Sequence, residues 1–356
     1  MQSRIRKVIA KLDAKKLDAF VALRNAHYLA GTTAATAVVV SGRGPVLICS
    51  RLEFARAKQE SQIENIQVYS PYRVPIQRGE RVHFCKLRWL IADVLRGVRA
   101  HDIGFDTLKS ETLQKLRTAY KANYQEMPEL IEKLRMIKSK QEIAWLRKSA
   151  TIAVRGMRSA AELIKSGRSE LEIAAEVEYE MRKAGSGGTP FTTIVASGRN
   201  SWLPHATATR KRLCKGELVV VDLGATHMGY ASDMTRTFAL APTAKQAKLI
   251  DIVKSAQAAA IERVRDGVSA RSVDNAARRL VSRAGYAKFY LHGTGHGVGL
   301  DVHELPSLAP NSKDILRKKM VTTVEPGLYV PGVGGARWED MALVTAKGHE
   351  LLTRGG

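Results

Sequence analysis

Cysteine is scarce in this chain. Cys49, Cys85 and Cys214 are its only three among 356 residues, an odd number without any C-x-x-C spacing. That usage excludes a disulfide scaffold and a thiolate zinc site, and it suits a reducing compartment, so a cytoplasmic protein is expected. No apolar run approaches the roughly 18 residues of a membrane span. The opening Met1-Gln-Ser-Arg-Ile-Arg-Lys7 leads into a mixed stretch with no apolar signal core. The first 125 residues contain neither G-x-G-x-x-G nor G-x-x-x-x-G-K, so no phosphate loop is expected there. Aromatic residues make up 6% and no segment is of low complexity.

Positive charge is abundant. The formal net charge is +23, of which +12 lies in the first 125 residues. No block of five or six consecutive basic residues occurs, which favours a solvated basic surface over a nucleic-acid footprint. Hydrophobic residues at 45% and charged residues at 26% are those of a globular protein. The length predicts two domains.

The pattern along the chain supports that division. Residues 1–125 read as an α/β domain: a helix over Ser3–Leu17, a strand from Asp18, and two strands around the turn Ser41-Gly-Arg-Gly44. A further strand ends at Tyr69, a helix covers Trp89–Val98, and another strand follows His101. The boundary is expected at 125/126, before Glu126-Met-Pro. Beyond it, Ser139-x-x-Glu142, Ser169-x-x-Glu172 and Thr243-x-x-Gln246 are capping boxes, and Ser269 caps a fourth helix. Strands are expected at 191–195, 217–223 and 229–240, and again around Val298, Val321 and Ala342. The order is two helices, strands, two helices, strands, which hints at a duplicated unit.

Five donor side chains stand out in residues 126–356. Asp222 ends the apolar run Leu218-Val-Val-Val-Asp222, where a carboxylate is costly unless paired or bound to a cation. Asp233 follows after a segment, Gly224–Gly229, able to turn between antiparallel strands, so both carboxylates can face one point. His296 sits between glycines in His292-Gly-Thr-Gly-His296-Gly, which lets backbone approach closely. Glu325 precedes Pro326-Gly327, and Glu339 is expected on a strand. Four carboxylates and one imidazole are a donor set for two divalent cations, and the oxygen majority favours Mn²⁺, Co²⁺, Fe²⁺ or Zn²⁺. Two such ions roughly 3.5–4 Å apart lower the pKa of a shared water toward neutrality, giving a hydroxide nucleophile for an amide carbonyl.

The ordered set Asp222, Asp233, His296, Glu325 and Glu339 resembles the creatinase/methionine aminopeptidase superfamily with the pita-bread fold. His292-x-x-x-His296, Glu325-Pro-Gly-Leu-Tyr329 and Arg337-x-Glu339-Asp340 are similar to its Xaa-Pro branch, prolidase and aminopeptidase P. The resemblance implies a creatinase-like N-terminal α/β domain and an α+β pita-bread domain with a curved antiparallel sheet covered by helices. It implies that Asp222 binds one metal through both oxygens, that Asp233 and Glu339 bridge two, and that His296 and Glu325 complete the second. It makes Glu325 the proton shuttle, puts His205 and His303 on the substrate side with His303 facing the developing oxyanion, and has His292 and Arg337 help hold the proline end. Trp338 departs from the aliphatic residue usual there.

The activity so implied is hydrolysis of the Xaa-Pro bond at the free N-terminus of short peptides, as dipeptidase or aminopeptidase, with two divalent ions per chain, manganese foremost. A homodimer is expected, with no membrane association and no nucleic-acid role. Two alternatives share the fold. One is a non-catalytic binding protein for nucleic acid or protein, against which the intact five donors argue. The other is a methionine aminopeptidase-like enzyme, which usually lacks the N-terminal domain.

Overall fold

The computed structural model describes residues 2–76, 80–107 and 111–355. The chain divides into two compact units, Met1–Leu134 and Arg135–Gly356.

In the first unit six strands form one sheet: β1 (Ala19–Ala22), β2 (Ala37–Ser41), β3 (Gly44–Ser50), β4 (Ile66–Tyr69), β5 (Asp102–Phe105) and β6 (Asn123–Glu126), in the order β4-β3-β2-β1-β5-β6. β1–β2 and β2–β3 are antiparallel, and the remaining pairs are parallel. Ser41 pairs with Gly44, so the expected turn closes a tight hairpin. β1 is buried at every residue, which matches its unbroken apolar sequence, since a central strand covered on both faces needs no polar alternation. Helices α1 (Gln2–Lys15), α2 (Ala26–Ala30), α3 (Phe54–Glu60), α4 (Leu87–Gly97), α5 (Glu111–Ala119) and α6 (Pro128–Met136) complete the α/β arrangement. Leu90, Ile91 and Leu95 of α4 pack with Ile48, Ile103 and Phe105 of the sheet. β6 pairs with β5, so the first unit runs beyond the expected 125/126 boundary and ends inside α6. The polar sequence Asn-Tyr-Gln-Glu of this edge strand gives no apolar alternation by which to recognise it.

The second unit contains two helix pairs, each followed in the chain by its own sheet. α7 (Lys140–Leu163) and α8 (Glu170–Lys183) precede β7 (Ile194–Ser197), β8 (Glu217–Leu223), β9 (Thr226–His227), β10 (Tyr230–Ala231) and β11 (Met234–Leu240). α9 (Ala244–Ile261) and α10 (Ala270–Arg283) precede β12 (Gly295–Gly297), β13 (Glu304–Leu308), β14 (Val321–Val324), β15 (Gly327–Val330), β16 (Gly334–Arg337), β17 (Asp340–Val344) and β18 (His349–Leu351). The sheets run β11-β8-β7 and β13-β12-β14-β17-β18, with β15 and β16 as a separate hairpin. α7 of the first pair packs on both sheets.

All three capping boxes form with both reciprocal bonds, and the Ser269 hydroxyl accepts from the Ser272 amide. α7 buries Ile143, Leu146, Ala150, Ala153, Met157 and Ala160 along one stripe, as an amphipathic helix does. Ile152, Val154, Met157, Ile173, Val177 and Met181 share a core with β8 and β11, while Leu249, Val253, Val273 and Val281 share another with β14 to β17. This repeat of two helices on a sheet is the duplicated order expected from sequence and fits the pita-bread plan. Among the described residues no helix is long and apolar enough to cross a membrane.

Two expected strands are interrupted. The segment 229–240 breaks at Ser232-Asp233 into β10 and β11, and Glu339 lies between β16 and β17 rather than within a strand. Glu325 likewise lies between β14 and β15. At such breaks the side chain leaves the strict up-and-down alternation of a strand, which lets groups from neighbouring strands converge.

Candidate metal centre

β8 pairs antiparallel with β11, setting Asp222 opposite Thr235. The connection closes through the β9–β10 hairpin, whose turn residues Met228 and Gly229 both have positive φ, at 51° and 78°. That two-residue turn matches the twist of the strands and brings Asp233 back beside Asp222. His296 comes from the middle of β12. A side chain at Gly295 would strike the Thr323 carbonyl at 2.2 Å, and one at Gly297 the Leu305 carbonyl at 2.1 Å. Only glycine admits this approach, so the flanking glycines carry the histidine between two backbones.

These elements enclose a cavity of about 450 Å³, within the range of small-molecule sites. Every residue expected from sequence lines it: Asp222, Asp233, His296, Glu325 and Glu339, with His205, His292, His303 and Arg337. One ligand atom from each of Asp233, His296 and Glu339 lies within 4.8 Å of the others. His296 Nε2 stands 3.2 Å from Glu325 Oε1 and 3.6 Å from Asp233 Oδ2.

Four carboxylates therefore meet one guanidinium. Two like charges 4 Å apart repel by about 4 kcal/mol even at an effective dielectric of 20. Burial, and then the charges of Glu339, Asp222 and Glu325, push Asp233 well above the usual carboxylate range. Burial followed by Glu325 and Asp222 does the same to Glu339. Burial also acts to raise Glu325, but the hydrogen bond and charge of His296, aided by His292 and Arg337, outweigh it and hold the group at about 2.

Asp222 Oδ1 and Glu339 Oε1 are buried without a hydrogen-bond partner. Buried acceptors are normally satisfied. Two orphaned carboxylate oxygens on one cavity, beside an imidazole, fit divalent cations with a preference for oxygen ligands. Asp222, Asp233, His296, Glu325 and Glu339 are the residues that could hold them.

The remaining groups are placed by bonds that sequence did not reveal. Arg337 is 4% exposed and makes four hydrogen bonds through its guanidinium. It donates to Asp222 Oδ2 at 2.5 Å, the Tyr329 hydroxyl at 2.7 Å, the Pro204 carbonyl at 3.2 Å and the Thr235 hydroxyl at 3.2 Å. It orients Asp222 and leaves Oδ1 as that residue's open oxygen. Both ring nitrogens of His292 are also occupied, by the Gly293 carbonyl at 2.7 Å and the Tyr329 hydroxyl at 3.0 Å. In one consistent chain, Arg337 donates to Tyr329, Tyr329 to His292 Nε2, and His292 Nδ1 to Gly293. His292 and Arg337 are thus braced against each other through Tyr329 on the cavity wall.

Thr235 and Tyr329 are the members that sequence reading missed. The Thr235 hydroxyl donates to Glu339 Oε2 at 2.7 Å. Its spacing of two from Asp233 along a strand was the available signal, since such residues share a face. Tyr329 closes the motif Glu325-Pro-Gly-Leu-Tyr329, but its partners His292 and Arg337 lie on other elements, so its contacts are visible only in the fold. His303 has its ring centroid 4.3 Å from that of His296, and burial followed by the His296 charge lowers its pKa. Its neighbour Glu304 is clamped by Lys138 at 3.0 Å and by Arg135.

A pita-bread fold around a buried carboxylate and imidazole cluster defines a hydrolase of the metal-dependent kind. The sequence pattern of metallopeptidase family M24 matches residues 144–346, and that of the creatinase/prolidase N-terminal domain matches residues 4–137. The chain belongs to metallopeptidase family M24. It is 35% identical to a Xaa-Pro dipeptidase of Pyrococcus horikoshii over 99% of this chain and 97% of that one. The solved Xaa-Pro dipeptidase from Bacillus anthracis superposes with a TM-score of 0.91 at 31% identity, covering 100% of this chain and 98% of that one. The X-Pro aminopeptidase from Thermotoga maritima does so with a TM-score of 0.86 at 29% identity, covering 99% and 98%.

The raised carboxylates set the pH response of the metal-free protein. Asp233 and Glu339 hold protons in the folded state that the unfolded chain releases near pH 4. The folded state then binds more protons, so their contribution to stability is lost as pH rises through the folded pKa values. Chelator-treated protein is expected to melt at lower temperature at about pH 8 than at about pH 5, with Mn²⁺ stabilising more at the higher pH. Thermal denaturation with and without Mn²⁺ measures this. Greater Mn²⁺ stabilisation at the acid end would contradict it.

Proposed function

We propose that this metallopeptidase hydrolyses the Xaa-Pro bond at the free N-terminus of dipeptides or short peptides, with manganese as its foremost cation, in the cytoplasm. The observation that carries the reading is the convergence of all nine sequence-selected residues on one cavity with two unpartnered buried carboxylate oxygens. Relatives named for Xaa-Pro cleavage, similar along nearly the whole chain, support the substrate class. The three cysteines, free of disulfides, support a reducing compartment.

When bound, a divalent pair supplies Lewis-acid polarisation of the scissile carbonyl and activates water near neutral pH. Glu325, on the cavity wall beside His296, is the group assigned to take a proton from the attacking water and return it to the departing proline nitrogen. His303, kept neutral, offers one N–H to the oxygen on which charge develops. His205, also on the cavity wall, is the group that contacts the substrate backbone. Phe191, Ile194, Ala206 and Ala309 form apolar wall against which a pyrrolidine ring packs. An Xaa-Pro amide lacks the N–H that ordinary protease sites bind, and a carbonyl polarised by cations does not require it.

Glu325→Gln is expected to lower kcat at least about 100-fold. His303→Ala should lower kcat/KM by about 10²–10³ while leaving metal content unchanged. Steady-state kinetics on Xaa-Pro dipeptides and Xaa-Pro-Yaa tripeptides under Mn²⁺, Co²⁺ and Zn²⁺ tests this and separates dipeptidase from aminopeptidase. Near-normal turnover by Glu325→Gln would overturn its assignment.

We also propose a homodimer. Leu52 (95% exposed), Tyr72 (74%), Ile76 (49%) and Trp89 (42%) of the first unit support it as uncovered apolar surface. Light scattering at micromolar concentration is expected to give twice the chain mass, and a fully active monomer would contradict it.

A further inference from the structure

The loop between β7 and β8 carries the pocket residues Pro204, His205 and Ala206. Its tip is open to solvent, with Leu203 51% and Trp202 36% exposed, and His205 is itself exposed. A histidine so placed depends on the backbone beneath it for its position. Both flanks of this loop converge on one buried carboxylate.

That carboxylate is Glu170, the first residue of α8 and 0% exposed. Its Oε1 accepts from the Ser197 amide at 2.7 Å, the Ser197 hydroxyl at 2.7 Å and the Asn200 side-chain amide at 3.0 Å. Its Oε2 accepts from the Asn200 amide at 3.0 Å, the Thr209 backbone amide at 3.0 Å and the Thr209 hydroxyl at 2.6 Å. The first turn of α8 holds the returning flank as well, since the Glu170 and Leu171 amides donate to the Lys211 and Thr209 carbonyls. Lys211 donates to the Ser197 hydroxyl at 2.9 Å and to Glu217 at 2.7 Å, which closes the base. The segment from Ser197 to Thr209 is thus a compact loop with its ends brought together, a design that commonly presents functional groups.

We propose that Glu170 is a positioning residue, acting through this closure to fix His205 against the pocket. The inference rests on the reading of His205 as a substrate-side group. A buried carboxylate saturated by amide and hydroxyl donors of one loop has a chemical logic: a neutral glutamine of equal size would turn an N–H toward those donors and open the closure.

The test compares Glu170→Gln, Thr209→Val and Thr209→Ser, each alone and with His205→Ala, in Mn²⁺-loaded protein on an Xaa-Pro dipeptide. Glu170→Gln is expected to lower kcat/KM at least tenfold, and Thr209→Val several-fold, with metal content unchanged. Thr209→Ser, which keeps the hydroxyl, should restore near-normal values. In the His205→Ala background Glu170→Gln should cost less than twofold, because coupled sites are not additive. Amide hydrogen exchange over 198–208 should quicken in Glu170→Gln, in metal-free protein too. Full additivity, or unchanged exchange, overturns the positioning role while leaving the peptidase reading intact. A His205→Ala variant with normal kcat/KM overturns the assignment of His205 and the inference with it.

Discussion

Repulsion among Asp222, Asp233, Glu325 and Glu339 is the constraint to which the second unit is built. Among the described residues that line the cavity, Arg337 is the permanent cation, and its bond to Asp222 offsets a single charge. The rest must come from protons or from divalent ions, and two carboxylate oxygens stand open for the latter. The surrounding architecture withstands this repulsion by fixing each group from behind. Thr235 holds Glu339 through its hydroxyl, and the Glu339 amide donates to the Thr235 carbonyl at 3.1 Å. Arg236 ties the same bend to Asp340, which also accepts from Gln257 and Thr353. Asp274 anchors the Thr294 amide and hydroxyl on the other side, and the Thr294 carbonyl accepts from the Glu325 amide. Outer partners of this kind commonly govern metal affinity as much as the ligands do.

The helices and the donors were legible because each carries its signal locally. A capping box needs only four consecutive residues, and Ser139, Ser169 and Thr243 behave as that pattern requires. Glu325 before Pro326-Gly327, and His296 among glycines, mark breaks or close approaches in the chain itself. The five donors could therefore be picked out one motif at a time, and the fold brings them to one place.

What stayed hidden depends on partners distant in sequence. β6 joins the first sheet through backbone pairing with β5, a choice its exposed polar side chains do not announce. His292 and Arg337 meet through Tyr329 on β15, a link between residues 37 and 8 positions from that tyrosine that appears only in the folded chain. Glu170 reads as an ordinary acidic residue in the first turn of a helix, where the dipole favours it. Its burial and its donors on the far loop appear only once the chain is folded. Trp338 lies near two cations, with Arg236 4.7 Å and Lys254 4.1 Å from its ring centroid. A planar ring there stacks beside the arginine that holds the Glu339 bend, a contact an aliphatic side chain could not provide in the same way.

We propose that these five donors hold two divalent cations and that Glu339 is shared between them. Metal content per chain, measured after Mn²⁺ loading and removal of free ion, tests it most directly in the wild-type chain and in Glu339→Gln. The account predicts two ions per chain in the first and at most one in the second, with the fold intact by circular dichroism. One ion per wild-type chain, or two retained by Glu339→Gln, would contradict it.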